Sequence, residues 1–378
     1  MESFIQRLTF DNLYVISILS LIGSFIMVTI LIPKIREILH SRDLVDLPPE
    51  RSSHKISTPT MAGVSFFLTI SFAFIFIKNW DVDGIGINLL GALALMFAVG
   101  LKDDLVISAP RAKVGAELIA ISFVIFCACY KITSLEGFLG IEGIPPIVSY
   151  ILVTIVMLTI INSYNLIDGI DGLASVIGIA IFSIYAFLFY AAGIYFYFLF
   201  CLSLIGILLA YLRYNVSLTK KIFMGDTGSL IMGFCIAVFS LKFLTMDISL
   251  LSEYSFVAEN KLIVISGIFF IPGFDTLRVI GVRLLKKSSP FYPDRNHIHH
   301  ILIDSGLTHF KASLFLCCLN FLIAVSIIYM STYFNSFQML GISIFYFIFF
   351  LGLFYKLKAN IGKKNSFKHL ISAIQILF

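Results

Sequence analysis

The feature that most limits what this chain can become is a long apolar run, broken by short polar stretches and repeated along the sequence. Such runs lie near 13–33, 62–79, 85–101, 114–130, 145–161, 173–191, 195–212, 228–246, 261–282, 312–331 and 338–355. A helix needs about 20 residues to cross the hydrocarbon core of a bilayer. Inside lipid, only a helix or a closed barrel satisfies its own backbone. The sequence therefore predicts an all-α, polytopic integral membrane protein with about 11 transmembrane helices. The runs at 85–101 and 145–161 are short for a span. Composition agrees: 59% of the residues are hydrophobic and 13% charged, against about a quarter charged in soluble domains. In the ninth run, Pro272-Gly273 predicts a broken helix, with Asp275 just beyond it facing a protein cavity rather than lipid.

The charges give the chain a direction. Of the 27 Lys and Arg residues, 22 follow odd-numbered runs. Basic loops stay on the cytoplasmic side, so the N-terminus is expected outside and the C-terminus inside. The net charge of +5 is then a topology signal and makes no case for nucleic acid. The six cysteines lie in apolar runs with no metal-like spacing and read as reduced, buried residues. No small-residue cleavage site precedes the first run, so a retained span is expected there. No loop is long enough to hold its own core. The expectation is one membrane-embedded domain over 1–378, with 356–378 as a basic cytoplasmic tail.

Five polar groups interrupt this pattern, and all follow odd-numbered runs. The first loop reads DLVDLPPERSSHKISTPTMAG and holds Arg51 and His54. GLKDDLVISAPRAK carries Asp103, Asp104 and Lys113. NSYNLIDGIDGLAS carries Asn162, Asn165, Asp168 and Asp171. KKIFMGDTGS carries Asp226, and SPFYPDRNHIHH carries Arg295, His297, His299 and His300. On a helix, Asn162, Asn165 and Asp168 fit within one arc of about 120°, while Gly169 and Gly172 let the chain turn and re-aim Asp171. Carboxylates and amide oxygens gathered at a helix end suit a hard divalent cation, Mg²⁺ with Mn²⁺ as an alternative. A capped turn between two spans would also use such residues. Asp103 and Asp104 suit a metal or a proton acceptor, or an ordinary hydrated loop. Asp226 could cap the next helix, or its glycine-rich surroundings could hold phosphate. Three histidines behind an arginine make a donor-rich patch for phosphate oxygens.

In this order, DLPPERSSH, GLKDDL with a later Lys, NxxNLIDGIDGLA, FMGDTGS and SPFYPDRNHIHH resemble the polyprenyl-phosphate N-acetylhexosamine-1-phosphate transferases. These are relatives of the phospho-MurNAc-pentapeptide translocase, and the likeness runs from about residue 46 to 302. The resemblance implies Mg²⁺-dependent transfer of N-acetylhexosamine-1-phosphate from a UDP-sugar, with UDP-GlcNAc expected, to undecaprenyl phosphate. UMP leaves, and a lipid-linked cell-envelope glycan such as an O-antigen is started. It also implies a bacterial inner membrane with the site on its cytoplasmic face, and leaves homodimer formation open. By resemblance, Asp103, Asp104 and Asp168 are catalytic, with Asp103 deprotonating the lipid phosphate. Asn165, Asp168 and Asp226 hold the metal. Asp171, Lys113, Arg51, His54, Arg295, His297, His299 and His300 bind substrate. Glu117 stands where the family commonly has Gln.

Two rivals remain. A CDP-alcohol phosphotransferase shares the start of its signature with Asp171-Gly-Leu-Ala, but Ser175 replaces the required Arg. A transporter would explain many spans with buried acids, yet it should place its polar residues near mid-membrane.

Overall fold

The computed structural model describes residues 12–42, 44, 58–106, 109–127, 130–254, 256–287 and 296–376. Arg51, His54 and Arg295 lie outside the described residues. The chain is a bundle of helices: α1 (Leu13–Ser41), α2 (Gly63–Ile77), α3 (Gly86–Leu105), α4 (Pro110–Ile125), α5 (Pro146–Ile167), α6 (Leu173–Ala191), α7 (Tyr195–Asn215), α8 (Gly225–Thr245), α9 (Lys261–Ile268), α10 (Phe270–Leu285), α11 (Ile298–Asp304), α12 (His309–Met330) and α13 (Ser336–Ile376). Two short strands, β1 (Ser134–Phe138) and β2 (Ile141–Gly143), pair antiparallel between α4 and α5.

Among the described residues, nine helices are long and apolar enough to cross a membrane, or ten if the bent pair α9–α10 is one span. The expected number was eleven. The remaining apolar run forms α4, whose 16 residues reach about 24 Å at 1.5 Å per residue. Because α3 and α5 both end beside Asp226, α4 and the segment after it carry the chain back between them. The two runs that read as short gain length from their polar ends. α3 continues through Lys102-Asp103-Asp104 and α5 through Asn162–Ile167, because those side chains have partners at the end of the bundle.

α8 is the axis. It is 89% buried along its apolar window, while α13 is only 17% buried. A helix apolar on every side belongs inside a bundle, and α8 packs on α3, α5 and α2. Glycine makes these approaches close. A Cβ on Gly100 of α3 would stand 2.4 Å from the Thr227 Cα, and one on Gly63 of α2 would stand 2.2 Å from the Gly228 nitrogen. Small residues let backbones meet in this way, and here they draw three helix ends together. Gly100→Val puts its extra carbons against backbone that cannot move aside. It is expected to cost about 3 kcal/mol or more, read as a lost monodisperse peak and a lowered melting point in detergent.

The ninth apolar run is broken, as expected, with a 74° bend between its halves. The break is centred on Phe269, three residues ahead of Pro272. Pro272 sits in the first turn of α10, where a helix does not need the missing N–H.

Candidate active site

Five helix ends converge at one end of the bundle. Gly225 opens α8 with φ +72°, and a Cβ there would lie 2.5 Å from an Asp104 carboxylate oxygen. Only glycine meets both conditions. Asp104 then caps α8 from a different helix. Its Oδ1 accepts the Asp226 N–H at 2.7 Å and its Oδ2 accepts the Thr227 N–H at 3.0 Å and the Thr227 hydroxyl at 2.5 Å. A carboxylate at a helix N-terminus satisfies exposed N–H groups and matches the helix dipole.

Asp226 sits at the hub. Asn165 donates through Nδ2 to its Oδ1 at 2.5 Å and to the Ser229 hydroxyl at 2.7 Å. Lys113, from the first turn of α4, lies 3.1 Å from Asp226 Oδ2 and 3.4 Å from Asp103 Oδ2. The carboxylates of Asp103 and Asp226 are themselves within hydrogen-bonding reach. The DD pair of α3 thus divides its work: Asp104 holds the start of α8, while Asp103 faces Lys113 and Asp226.

Of the polar residues that share one arc in the sequence, Asn162 turns away. Its Nδ2 bonds Glu117 Oε2 at 2.8 Å and the Leu158 carbonyl at 3.0 Å. Asn165 and Asp168 remain on a cavity of about 360 Å³, with Thr60, Asp104, Asp171, Phe223 and Asp226 also in its wall. Asp168 ends α5. Burial raises its pKa to about 7, and the charges of Asp226, Asp104 and Asp171 push the same way. Asp171 behaves oppositely. Burial would raise it, but hydrogen bonds from His309 and Lys221 outweigh that and hold it below the usual carboxylate range. Lys221 Nζ lies 2.6 Å away and His309 Nδ1 3.5 Å.

The histidines join this group from above Gly169. His297 Nδ1 bonds Asp275 Oδ2 at 2.8 Å, and Asp275 also takes Arg278 at 2.9 Å and the Ile298 N–H at 3.0 Å. His299 is 1% exposed, and a Cβ on Gly169 would come within 2.5 Å of its Nε2. Burial lowers His299 to about 3, so its ring is neutral at physiological pH. The His300 ring lies beside it, with centroids 4.4 Å apart. Gly169→Ala drives a methyl into an imidazole that is held on both sides. Activity is expected to fall about tenfold to a hundredfold with the fold intact, measured as turnover against melting temperature.

The structure therefore gathers Asp103, Asp104, Lys113, Asn165, Asp168, Asp171, Asp226, His297, His299 and His300 at one end of the bundle. Lys221, Thr227, Ser229 and His309 belong to this group without having been singled out in the sequence. Lys221, Thr227 and Ser229 stand within the quoted KKIFMGDTGS stretch. For His309, 138 residues from Asp171, no local pattern existed to find it.

Comparison with known proteins adds the family. Residues 87–244 match the glycosyl transferase family 4 model. The phospho-N-acetylmuramoyl-pentapeptide-transferase of Staphylococcus saprophyticus is 30% identical over 292 residues, covering 73% of this chain and 88% of that protein. The chain belongs to glycosyl transferase family 4. It is a multi-pass membrane phosphotransferase. Other relatives in the family include the undecaprenyl-phosphate alpha-N-acetylglucosaminyl 1-phosphate transferase of Yersinia pestis, 27% identical over 71% of this chain and 72% of its own length. The probable undecaprenyl-phosphate N-acetylglucosaminyl 1-phosphate transferase of Bacillus subtilis is 26% identical over 82% of this chain and 84% of its own. The matched region holds Asp103 and the acids on the cavity, Asp104, Asp168, Asp171 and Asp226.

The residues present fit a divalent cation. Asp168 and Asp226 offer carboxylate oxygens, and Asn165, which donates through its nitrogen, keeps Oδ1 to offer. Burial, and after it the charges of Asp226, Asp104 and Asp171, make Asp168 hard to ionise, and a bound cation would favour its charged form. Among the described residues no three His, Cys, Asp or Glu side chains form a ready-made cage. Mg²⁺ keeps several waters and takes phosphate oxygens, so two carboxylates and an amide suffice.

Proposed function

We propose that this protein transfers N-acetylhexosamine-1-phosphate from a UDP-sugar, UDP-GlcNAc foremost, to undecaprenyl phosphate with Mg²⁺, at the cytoplasmic face of a bacterial inner membrane. The observation that carries this reading is the convergence of Asp104, Asp168 and Asp226 on one cavity at a single end of the bundle, with Lys113 beside Asp226 and Asp103. Phosphoryl transfer asks mainly for positioning and charge neutralisation, and the cavity wall offers both. The basic-loop asymmetry supports the cytoplasmic face, with the N-terminus outside and the C-terminal helix ending inside. α13 runs on from its apolar part into the basic segment of 356–378, a tail on the same face as the site.

A phosphate oxygen of the lipid attacks the sugar-bearing phosphorus of the donor. A new phosphoanhydride forms, the bond to the α-phosphate breaks, and UMP departs with the electron pair. Asp103 accepts any proton carried by the lipid phosphate. Lys113, between Asp103 and Asp226, holds phosphate oxygens against the acids. Asp104 acts through α8, keeping Asp226 in place. A bound Mg²⁺, held by Asp226, Asp168 and Asn165, would neutralise the diphosphate. His297, His299 and His300 face the diphosphate or sugar, and Arg51, His54 and Arg295, outside the described residues, are assigned to the same substrates. Asp171 lies toward the nucleoside.

A second cavity supports a lipid acceptor. It measures about 340 Å³ and is walled by Ile155, Val156 and Ile160 of α5, Phe269, Phe270 and Phe274 at the break, and Phe347 of α13. An isoprenoid chain could lie there with its phosphate toward the end of α5.

The test is purified protein supplied with undecaprenyl phosphate and a panel of UDP-sugars. UMP release that depends on both substrates, with a lipid-linked sugar product, is expected. Uptake of label into vesicles without UMP would favour a transporter instead.

A further inference from the structure

The break between α9 and α10 leaves two backbone groups without helical partners. Pro272 has no N–H for the Ile268 carbonyl four residues back, and the Ile271 N–H finds no carbonyl behind it. One side chain closes both gaps. Asn320 of α12, fully buried, accepts the Ile271 N–H on Oδ1 at 2.9 Å and donates through Nδ2 to the Ile268 carbonyl at 3.0 Å. Unsatisfied backbone is costly where no water reaches, so this amide holds the two half-helices at their 74° angle.

The direction of α10 matters at its other end. Asp275, one turn beyond Ile271 and 1% exposed, takes hydrogen bonds from His297, Ile298 and Arg278. Arg278 also donates to the Asn296 carbonyl. The His297 and His299 rings stack with centroids 5.5 Å apart, and His299 rests on Gly169, beside Asp168.

We propose that Asn320 is a positioning residue for the histidine cluster: it bolts the break, the break aims α10, and Asp275 on α10 sets His297 and His299 over the Asp168 loop. The amide does this without lining the cavity.

The test uses the full chain in lipid nanodiscs. Asn320→Leu keeps volume and removes both hydrogen bonds. Amide exchange at residues 296–301 is expected to speed up while the 134–143 hairpin is unchanged. Asp275→Asn should speed exchange in the same segment. Asn320→Asp, neutral in this apolar setting, retains one donor and one acceptor and should restore slow exchange. The kinetic arm rests on the proposed transfer. Asn320→Leu should lower kcat for UMP release about tenfold to a hundredfold with a small change in KM. The double variant with Asp275→Asn should be no slower than Asp275→Asn alone. If Asn320→Leu yields no folded protein, Asn320→Ser, too short to reach both groups, takes its place with the same expectations. Unchanged exchange at 296–301, or additive kinetic losses, overturns the inference. A wild-type protein that releases no UMP would overturn the proposed transfer instead and leave the exchange comparison to decide this one.

Discussion

Asp226→Asn is expected to abolish UMP release, a fall of at least about a thousandfold, in a protein that still inserts and melts near the wild-type temperature. The geometry explains why the loss is chemical. Asp226 receives Asn165 on one oxygen and Lys113 on the other, but its own backbone N–H is what Asp104 caps. Changing the side chain leaves that cap in place, so α8 keeps its start. What disappears is the negative charge at the hub of the cavity. Normal turnover by this variant would remove Asp226 from the site, and loss of the folded protein would make its role structural.

Lys113→Met is expected to be nearly as damaging, about a hundredfold to a thousandfold in kcat. The ammonium is the one described cation between Asp103 and Asp226. Without it two carboxylates confront each other and the arriving phosphates, and like charges at this range disfavour ionisation of both. Methionine keeps the apolar stem, so packing is preserved. The discriminating observation is Lys113→Arg, which retains charge but has a planar head. Partial recovery there, with none in Lys113→Met, marks the charge as the cause.

Much of this was legible in the sequence for simple reasons. Run length alone predicts the helices, because the bilayer fixes how many apolar residues a span needs. The grouping of polar motifs after odd-numbered runs places Asp103, Asp168, Asp226 and the histidines at one end before any coordinates. Other features depend on partners distant in sequence. Asp104 caps α8 across 122 residues, so the sequence could not tell it from Asp103 beside it. The break falls at Phe269 rather than at Pro272, and the backbone groups it frees meet Asn320 of another helix. Asn162 looked equivalent to Asn165 on a helical wheel, yet Glu117 across the helix interface draws it away. The run that reads as a span at 114–130 is helical only from Pro110 to Ile125, because hydropathy marks apolar stretches and not where a helix stops. Periodicity reports which face a residue occupies, and says nothing of which neighbour will be waiting there.

The most direct measurement is UMP release by the wild-type protein, with undecaprenyl phosphate and UDP-GlcNAc, before and after divalent ions are stripped by a chelator. If Asp168, Asp226 and Asn165 hold an ion against the diphosphate, turnover stops on stripping and returns when Mg²⁺ or Mn²⁺ is added back. Turnover that continues undiminished in the presence of excess chelator would contradict the account.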